Sequence, residues 1–156
     1  ALVAAQAQVS PKNVHGYVIG EHGDSEIVAW SAVDIAGLPL AKYFDARGFA
    51  WDDQAADEVQ NDVRRAAYEI INRKGATYYG VASALASVSQ AILQNQNTVM
   101  TVSMSENGVA YSLPRVVGRG GIVATLELNL SDSEQKDLDS SVSVIRKATE
   151  SVAQTK

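Results

Sequence analysis

VHGYVIGEHGDSE, residues 14–26, carries both histidines of this chain. The stretch begins with an apolar run from Val14 to Ile19, which predicts a buried strand. Gly20 ends that run, and a charged cluster follows at once. His22 is therefore predicted on a loop just past the end of a strand, where a rigid sheet commonly presents catalytic groups.

The side chains around His22 suit proton transfer. Histidine can both give and take a proton near neutral pH, and the carboxylates of Glu21, Asp24 and Glu26 would stabilise its cationic form. The alternative is that His22 is a surface histidine in a polar turn, with Asp24 or Ser25 capping the segment that follows. The residues by themselves leave both interpretations open.

His15 takes the second position of the predicted strand, so its side chain points to the face opposite that of Val14. It is either an interior histidine with satisfied hydrogen bonds or a ligand contact at an interface. The strand pattern does not choose between these two alternatives.

Two long helices are predicted in the middle of the chain. Residues 52–74 begin acidic, end basic and carry apolar residues at helical spacing. Gly75 predicts a left-handed cap, and Thr77 is a candidate N-cap for a second helix that runs to about Gln94. Small apolar residues cover most faces of this second helix, which predicts that it is central and buried. Its N-terminus suits an anionic substrate.

Strands dominate the part of the chain that follows. Residues 98–103 and 109–117 flank Asn107-Gly108, a dipeptide typical of hairpin turns. Pro114 predicts an edge position or a bulge in the second of these strands. Alternating apolar and polar residues predict a third strand over residues 122–130.

The remaining segments complete the predicted fold class. A capping box at Ser131–Glu134 begins a C-terminal amphipathic helix, and residues 1–9 resemble the tail of an Ala-rich helix. Residues 27–35 are a strand or an irregular buried segment, whereas residues 41–51 are predicted as a loop with at most one helical turn. The expected fold is α+β, with largely antiparallel strands packed against long amphipathic helices.

Composition excludes several classes of function. A length of 156 residues predicts one domain with a sizeable core. The net charge of −5 argues against a nucleic-acid partner. The absence of cysteine excludes a disulfide framework, a zinc-thiolate site and a thiol nucleophile, and no metal site is predicted. No apolar run is long enough for a membrane span, so a soluble, cytoplasmic protein is expected.

Two segments resemble one known family. GEHGDS, residues 20–25, with VHGY before it and AWS after it, resembles the active-site segment of bacterial L-lactate dehydrogenases. KGATYYG, residues 74–80, is similar to the other substrate-pocket segment of that family. The pair identifies the chain as a member of the lactate/malate dehydrogenase superfamily. The resemblance implies that residues 1–156 form a single substrate-binding domain, and that the N-terminal NAD-binding Rossmann domain is absent from this sequence.

The resemblance also implies roles for individual residues. His22 would protonate the keto oxygen of pyruvate as hydride arrives from NADH, and would take the proton back from L-lactate. Thr77 would line the substrate pocket, and Val81 would face the nicotinamide ring and exclude water. His15 matches a histidine that binds fructose 1,6-bisphosphate at a subunit interface in allosteric enzymes of the family. The resemblance further implies a homo-oligomer, specifically a tetramer. The enzyme would act in glycolysis and pyruvate fermentation.

Alternatives to an L-lactate dehydrogenase remain open. Glu21 favours lactate over malate, because malate dehydrogenases usually carry glycine at this position, and an L-2-hydroxyisocaproate-type enzyme is also similar. A different class of function is an oligomerisation module that binds a sugar bisphosphate through His15. The carboxylate-binding arginine and the aspartate that orients the histidine precede Ala1 in the family. We therefore expect the isolated chain to be inactive.

Overall fold

The computed structural model describes residues 1–153 and places them in an α+β fold, which confirms the predicted class. The strand pairings in this part of the chain are antiparallel. None of its helices is long and apolar enough to cross a membrane. The elements in chain order are α1 (Leu2–Gln6), β1 (Val14–His15), β2 (Val18–Ile19), β3 (Ile27–Val28), β4 (Asp34–Ile35), β5 (Leu38–Pro39), α2 (Leu40–Arg47), α3 (Asp53–Lys74), α4 (Tyr79–Leu93), β6 (Thr98–Glu106), β7 (Val109–Gly118), β8 (Gly121–Thr125) and α5 (Asp132–Ala153).

The predicted strand over residues 14–19 is two short strands instead. β1 pairs with β4, and β2 pairs with β3, so Gly16 and Tyr17 carry the chain from one small sheet to the other. Residues 27–35 follow the irregular alternative, because a 3-10 turn at Trp30–Ala32 separates β3 from β4. These pairings bring the two ends of the His22 loop together at β2 and β3.

The largest sheet is a meander in the order β6-β7-β8. The predicted hairpin at Asn107-Gly108 is confirmed, with φ values of 51° and 79° at these two residues. The same sheet reaches the His22 loop, because Gly20 and Ser112 exchange two backbone hydrogen bonds of 2.9 Å.

The prediction that Pro114 lies at an edge is wrong. Pro114 is buried in β7, the central strand, and the bulge in this strand falls between Val116 and Val117. The carbonyl of Pro114 accepts a hydrogen bond of 2.9 Å from the amide of Leu126. Proline has no N–H to return the second bond of that pair. β8 therefore ends at Thr125 and does not continue through residue 130 as predicted.

The predicted loop over residues 41–51 is also wrong in part, because residues 40–47 form helix α2. Its buried side chains, Leu40 and Phe44, are one helical turn apart, and Gly48 ends it with a φ of 67°. The ring centroid of Phe44 lies 4.9 Å from that of Trp51, and the centroid of Trp51 lies 5.4 Å from that of Trp30. A helix this short carries too few apolar positions to show a period.

Helix α3 confirms the predicted long helix, and Gly75 ends it in the left-handed region at φ 79°. Two predictions for helix α4 are wrong. Thr77 does not cap it, since Tyr78 occupies the N-cap position without a side-chain bond. The helix is also not buried: Ala91 is its buried residue, and 64% of Leu85 is exposed. Its apolar face is left open by the described residues.

Helix α5 begins with the predicted capping box. The Ser131 amide donates to the Glu134 carboxylate at 2.7 Å, and the Glu134 amide donates to the Ser131 hydroxyl at 3.3 Å. Glu134 also accepts bonds from the amide of Ser31, at 2.8 Å, and from its hydroxyl. Burial pushes the pKa of Glu134 up, but these bonds outweigh it and hold the pKa below its ordinary value. Through these hydrogen bonds Glu134 connects the start of α5 to the 3-10 turn that follows β3.

A cluster of buried apolar residues supports the base of the His22 loop. Ile19 and Ile27, the paired ends of β2 and β3, pack with Leu138 of α5. Because these three side chains are almost completely removed from water, they hold the loop ends against α5. The loop therefore rises from a rigid base.

Candidate active site

His22 lies on the loop between β2 and β3, as predicted. Its side chain is 96% exposed, and its Nδ1 atom lies 3.8 Å from Oε2 of Glu26, whose side chain is only 14% exposed. With Nδ1 facing Glu26, the other ring nitrogen is available to a molecule in the adjoining cleft.

That cleft has a volume of about 530 Å³, and three of the predicted site residues line it. His22 lies on one side of the cleft. Thr77, in the connection between α3 and α4, and Val81, in α4, also line it. A further wall comes from α3 and is mostly apolar, formed by Val63, Ala66, Ala67 and Ile70. The structure thus brings His22, Thr77 and Val81 to one partly apolar cavity, although the first two are 55 positions apart in sequence.

Helix α3 contacts the His22 loop directly through two polar side chains. Nε of Arg64 donates to the backbone oxygen of Glu26 at 3.0 Å, and the Tyr68 hydroxyl donates to Oδ1 of Asp24 at 2.9 Å. The bond to Asp24 raises the pKa of Tyr68 above its ordinary value. Sequence reasoning missed both residues. Their spacing of four on one helix face was the available signal.

Glu26 has an unusual environment for a carboxyl group. Burial raises its pKa above the ordinary value, and the neighbouring His22 and Arg64 offset this only in part. Glu26 therefore binds its proton more tightly than an exposed glutamate does. A group of this kind beside a histidine is a common feature of sites that transfer protons.

Helix α5 contacts the other side of the loop through Ser141, which sequence reasoning also missed. Oγ of Ser141 accepts a hydrogen bond of 2.8 Å from the amide of Glu21 and lies 3.1 Å from Oγ of Ser25. Ser25 in turn bonds to the Glu21 carboxylate through its amide, at 3.2 Å, and through its hydroxyl. Ser141 of α5 therefore contacts the loop near both of its ends, at Glu21 and at Ser25.

His15 lies outside this cleft. It is exposed on β1, in register with Asp34 of β4, so the alternative of an interior histidine is wrong. Its exposure leaves the imidazole available to a ligand. Across residues 1–153 no group of three or more histidine, aspartate or glutamate side chains is arranged to hold a metal ion.

The cleft can serve an acid/base reaction on a small molecule. It offers one accessible histidine supported by a carboxylate, and an apolar wall that would reduce water near the reacting atoms. Two basic side chains also line the cleft. Nε of Arg64 donates a hydrogen bond to the loop backbone, and Nζ of Lys74 lies 5.9 Å from the centroid of the Tyr79 ring.

Comparisons with known proteins match this fold and sequence. The family described as lactate/malate dehydrogenase, alpha/beta C-terminal domain, matches residues 1–156. The L-lactate dehydrogenase of Chloroherpeton thalassium is 43% identical over 155 residues, which cover 98% of this chain and 51% of that protein. The L-lactate dehydrogenase of Deinococcus radiodurans is 45% identical over 147 residues, covering 93% of this chain and 48% of that protein.

A solved structure agrees with these relatives. The minor L-lactate dehydrogenase of Enterococcus mundtii, crystallised in a ligand-bound form, superposes with a TM-score of 0.89 at 33% identity. The match covers 97% of this chain and 50% of that structure. The chain spans about half the length of the curated relatives it matches. By fold and sequence, the chain belongs to the lactate/malate dehydrogenase family and corresponds to its C-terminal α/β domain.

Proposed function

We propose that this chain is the substrate-binding half of an NAD-dependent L-lactate dehydrogenase that interconverts pyruvate and L-lactate. The observation that carries the proposal is the meeting of His22, Thr77 and Val81 on one cleft. The names of the relatives, which are L-lactate dehydrogenases, support the choice of substrate. In this proposal the full-length enzyme is a cytoplasmic homo-oligomer.

His22 is the proton donor and acceptor of the proposed reaction. Its exposed imidazole can reach an oxygen in the cleft and give a proton to the keto group there, while Oε2 of Glu26 lies 3.8 Å from its Nδ1 atom. In the direction from lactate to pyruvate the same ring, now neutral, accepts the hydroxyl proton. Thr77 lines the cleft beside the substrate.

The cleft fits the nicotinamide end of the cofactor. NAD, when bound, supplies the hydride acceptor and donor of the reaction. Val81 presents a half-exposed aliphatic side chain to the cleft in the first turn of α4, and this surface suits the face of a flat ring. An apolar contact there also keeps water from the reacting carbon.

A panel of 2-keto acids tests the proposed function. The full-length protein that contains this chain should oxidise NADH faster with pyruvate than with oxaloacetate or a branched 2-keto acid, followed by absorbance at 340 nm. A preference for oxaloacetate would assign it to the malate dehydrogenases. A preference for the branched substrate would favour an L-2-hydroxyisocaproate-type enzyme. If none of the three is reduced, the proposal is refuted.

We expect the 156-residue chain to have no dehydrogenase activity by itself. An arginine that binds the substrate carboxylate through two parallel hydrogen bonds fixes a 2-keto acid in position. The resemblance to the family implies that this arginine lies upstream of Ala1, and the Arg64 Nε is already bonded to the loop. The same NADH assay on the purified chain checks this. Turnover by a preparation that contains this polypeptide alone, as established by intact mass, contradicts the prediction.

Binding of fructose 1,6-bisphosphate by His15 stays a prediction. Its support is the exposure of the imidazole on β1. An assembly role without catalysis, in which His15 helps to hold a sugar bisphosphate between subunits, is the alternative that the 2-keto acid panel would favour if every substrate failed.

A further inference from the structure

The start of the His22 loop is held between β7 and α5. Gly20 exchanges two backbone hydrogen bonds of 2.9 Å with Ser112 of β7. On its other side, a Cβ built at Gly20 would lie 2.5 Å from Oγ of Ser141, and Gly20 has a φ of +90°. Helix α5 therefore lies directly against the backbone here, an approach that only glycine permits.

The Ser141 hydroxyl takes part in a directed chain of hydrogen bonds. Its oxygen accepts from the Glu21 amide at 2.8 Å and lies 3.1 Å from the Ser25 hydroxyl. The Ser25 hydroxyl donates its single proton to the Glu21 carboxylate. Ser141 must then be the donor to Ser25, because each hydroxyl has one proton to give. The chain ends on the Glu21 carboxylate.

These bonds enclose the residue that the proposed reaction needs. His22 lies between Glu21 and Ser25, the two loop residues that Ser141 contacts. The imidazole is 96% exposed and its ion-pair partner is 3.8 Å away, so side-chain contacts hold the ring only loosely. The position of the ring in the cleft is therefore set mainly by the loop backbone.

We infer that Ser141 is a positioning residue for His22, an inference that rests on the proposed function. Its buried hydroxyl, 1% exposed, holds the loop backbone in the place from which the imidazole meets the substrate. Removing the hydroxyl leaves the Glu21 amide without its acceptor and frees the loop to shift. A displacement of about 1 Å at a reacting group lowers a rate by up to about 10²-fold.

Ser141→Ala in the full-length dehydrogenase tests this inference, with Ser140→Ala as the matched control. Ser140 is the adjacent serine of α5, is exposed, and bonds only to the Lys136 carbonyl of its own helix at 2.8 Å in the described contacts. We expect Ser141→Ala to lower kcat for pyruvate about 10-fold with little change in KM. The isotope effect with deuterated NADH should rise, because the chemical step becomes slower. Ser140→Ala should change neither.

A merely structural role for Ser141 would lower the amount of folded enzyme and leave the isotope effect unchanged. An isotope effect equal to that of the wild type, with or without a loss of kcat, therefore overturns the inference. If Ser141→Ala does not fold, Ser141→Cys replaces the hydroxyl at the same position by a thiol, a much weaker acceptor for the Glu21 amide. A wild-type isotope effect in Ser141→Cys would then be the contradicting result.

Amide hydrogen exchange separates a failure of this inference from a failure of the proposed function. Exchange at Glu21 requires no substrate, and Ser141→Ala should accelerate it about 10-fold, the effect of losing roughly one hydrogen bond. Ser140→Ala should leave it unchanged. A wild-type protein that reduces no 2-keto acid refutes the function alone. A Glu21 amide that stays protected in Ser141→Ala refutes the anchoring.

Discussion

Under the proposed function, replacing His22 with asparagine should lower kcat/KM for pyruvate by about 10²- to 10⁴-fold in the full-length protein, the loss expected when a positioned general acid is removed. Asparagine keeps a polar side chain that can donate a hydrogen bond, but it cannot give up a proton near neutral pH. The oxidation of lactate should fall by a similar factor, because in the proposed reaction the same ring accepts the proton in that direction.

Stability and cofactor binding provide the controls for this result. The His22 side chain is 96% exposed, so its replacement should change the unfolding free energy by no more than about 0.5 kcal/mol. The melting temperature and the dissociation constant for NADH should therefore stay at their wild-type values. A variant that keeps a tenth or more of wild-type kcat/KM would favour the alternative of a surface histidine in a polar turn.

The sequence predicts those parts of this site whose signals are local. The loop that carries His22 follows from an apolar run that ends at Gly20, and helix α3 follows from its period and its Gly75 cap. Ser141 has no comparable signal. It contacts Glu21, which lies 120 positions earlier in the chain. The local sequence around a serine on an amphipathic helix does not show whether its hydroxyl faces solvent or binds a distant loop.

Helix α4 shows what an apolar pattern does and does not establish. The pattern correctly predicts a helix, but it indicates that a surface is suited to burial without indicating which chain covers it. Val81 and Leu85 are more than half exposed in this chain. The prediction for Pro114 was wrong for a related reason. Its missing N–H excludes one hydrogen bond but does not require an edge position, and in β7 the missing bond is on the side of β8, which ends at Thr125.

Replacing Glu106 with alanine should lower the unfolding free energy of the chain by about 3 kcal/mol, the lower end of the range for breaking a buried ion pair. Arg115 is completely buried in β7, and its Nη1 lies 2.7 Å from Oε1 of Glu106, whose side chain is 29% exposed. Without Glu106 the guanidinium keeps its charge and loses its ionic partner. Its Nη2 already has no hydrogen-bond partner among residues 1–153.

Two further variants test this explanation. Arg115→Met removes the buried charge together with its unpaired nitrogen, so it should cost about 2 kcal/mol less than Glu106→Ala. Glu69→Ala is the matched control, because Glu69 pairs with Arg73 at 3.4 Å on the exposed face of α3 and its loss should cost under about 1 kcal/mol. Urea unfolding followed by circular dichroism measures all three. Equal costs for Glu106→Ala and Glu69→Ala would show that burial of Arg115 is not the cause.

The pH dependence of the difference between wild type and Glu106→Ala follows from the same contacts. The hydrogen bond from Tyr111, at 2.7 Å, and the bond from Arg115 hold the pKa of Glu106 below its ordinary value of 4.5. A carboxyl group whose pKa is lowered by folding stabilises the fold fully above the unfolded value, and this contribution is lost as pH falls through the folded value. The stability difference should therefore be constant near neutral pH and shrink below pH 4.5. A difference that persists unchanged in acid would mean that Glu106 acts through packing and not through its charge.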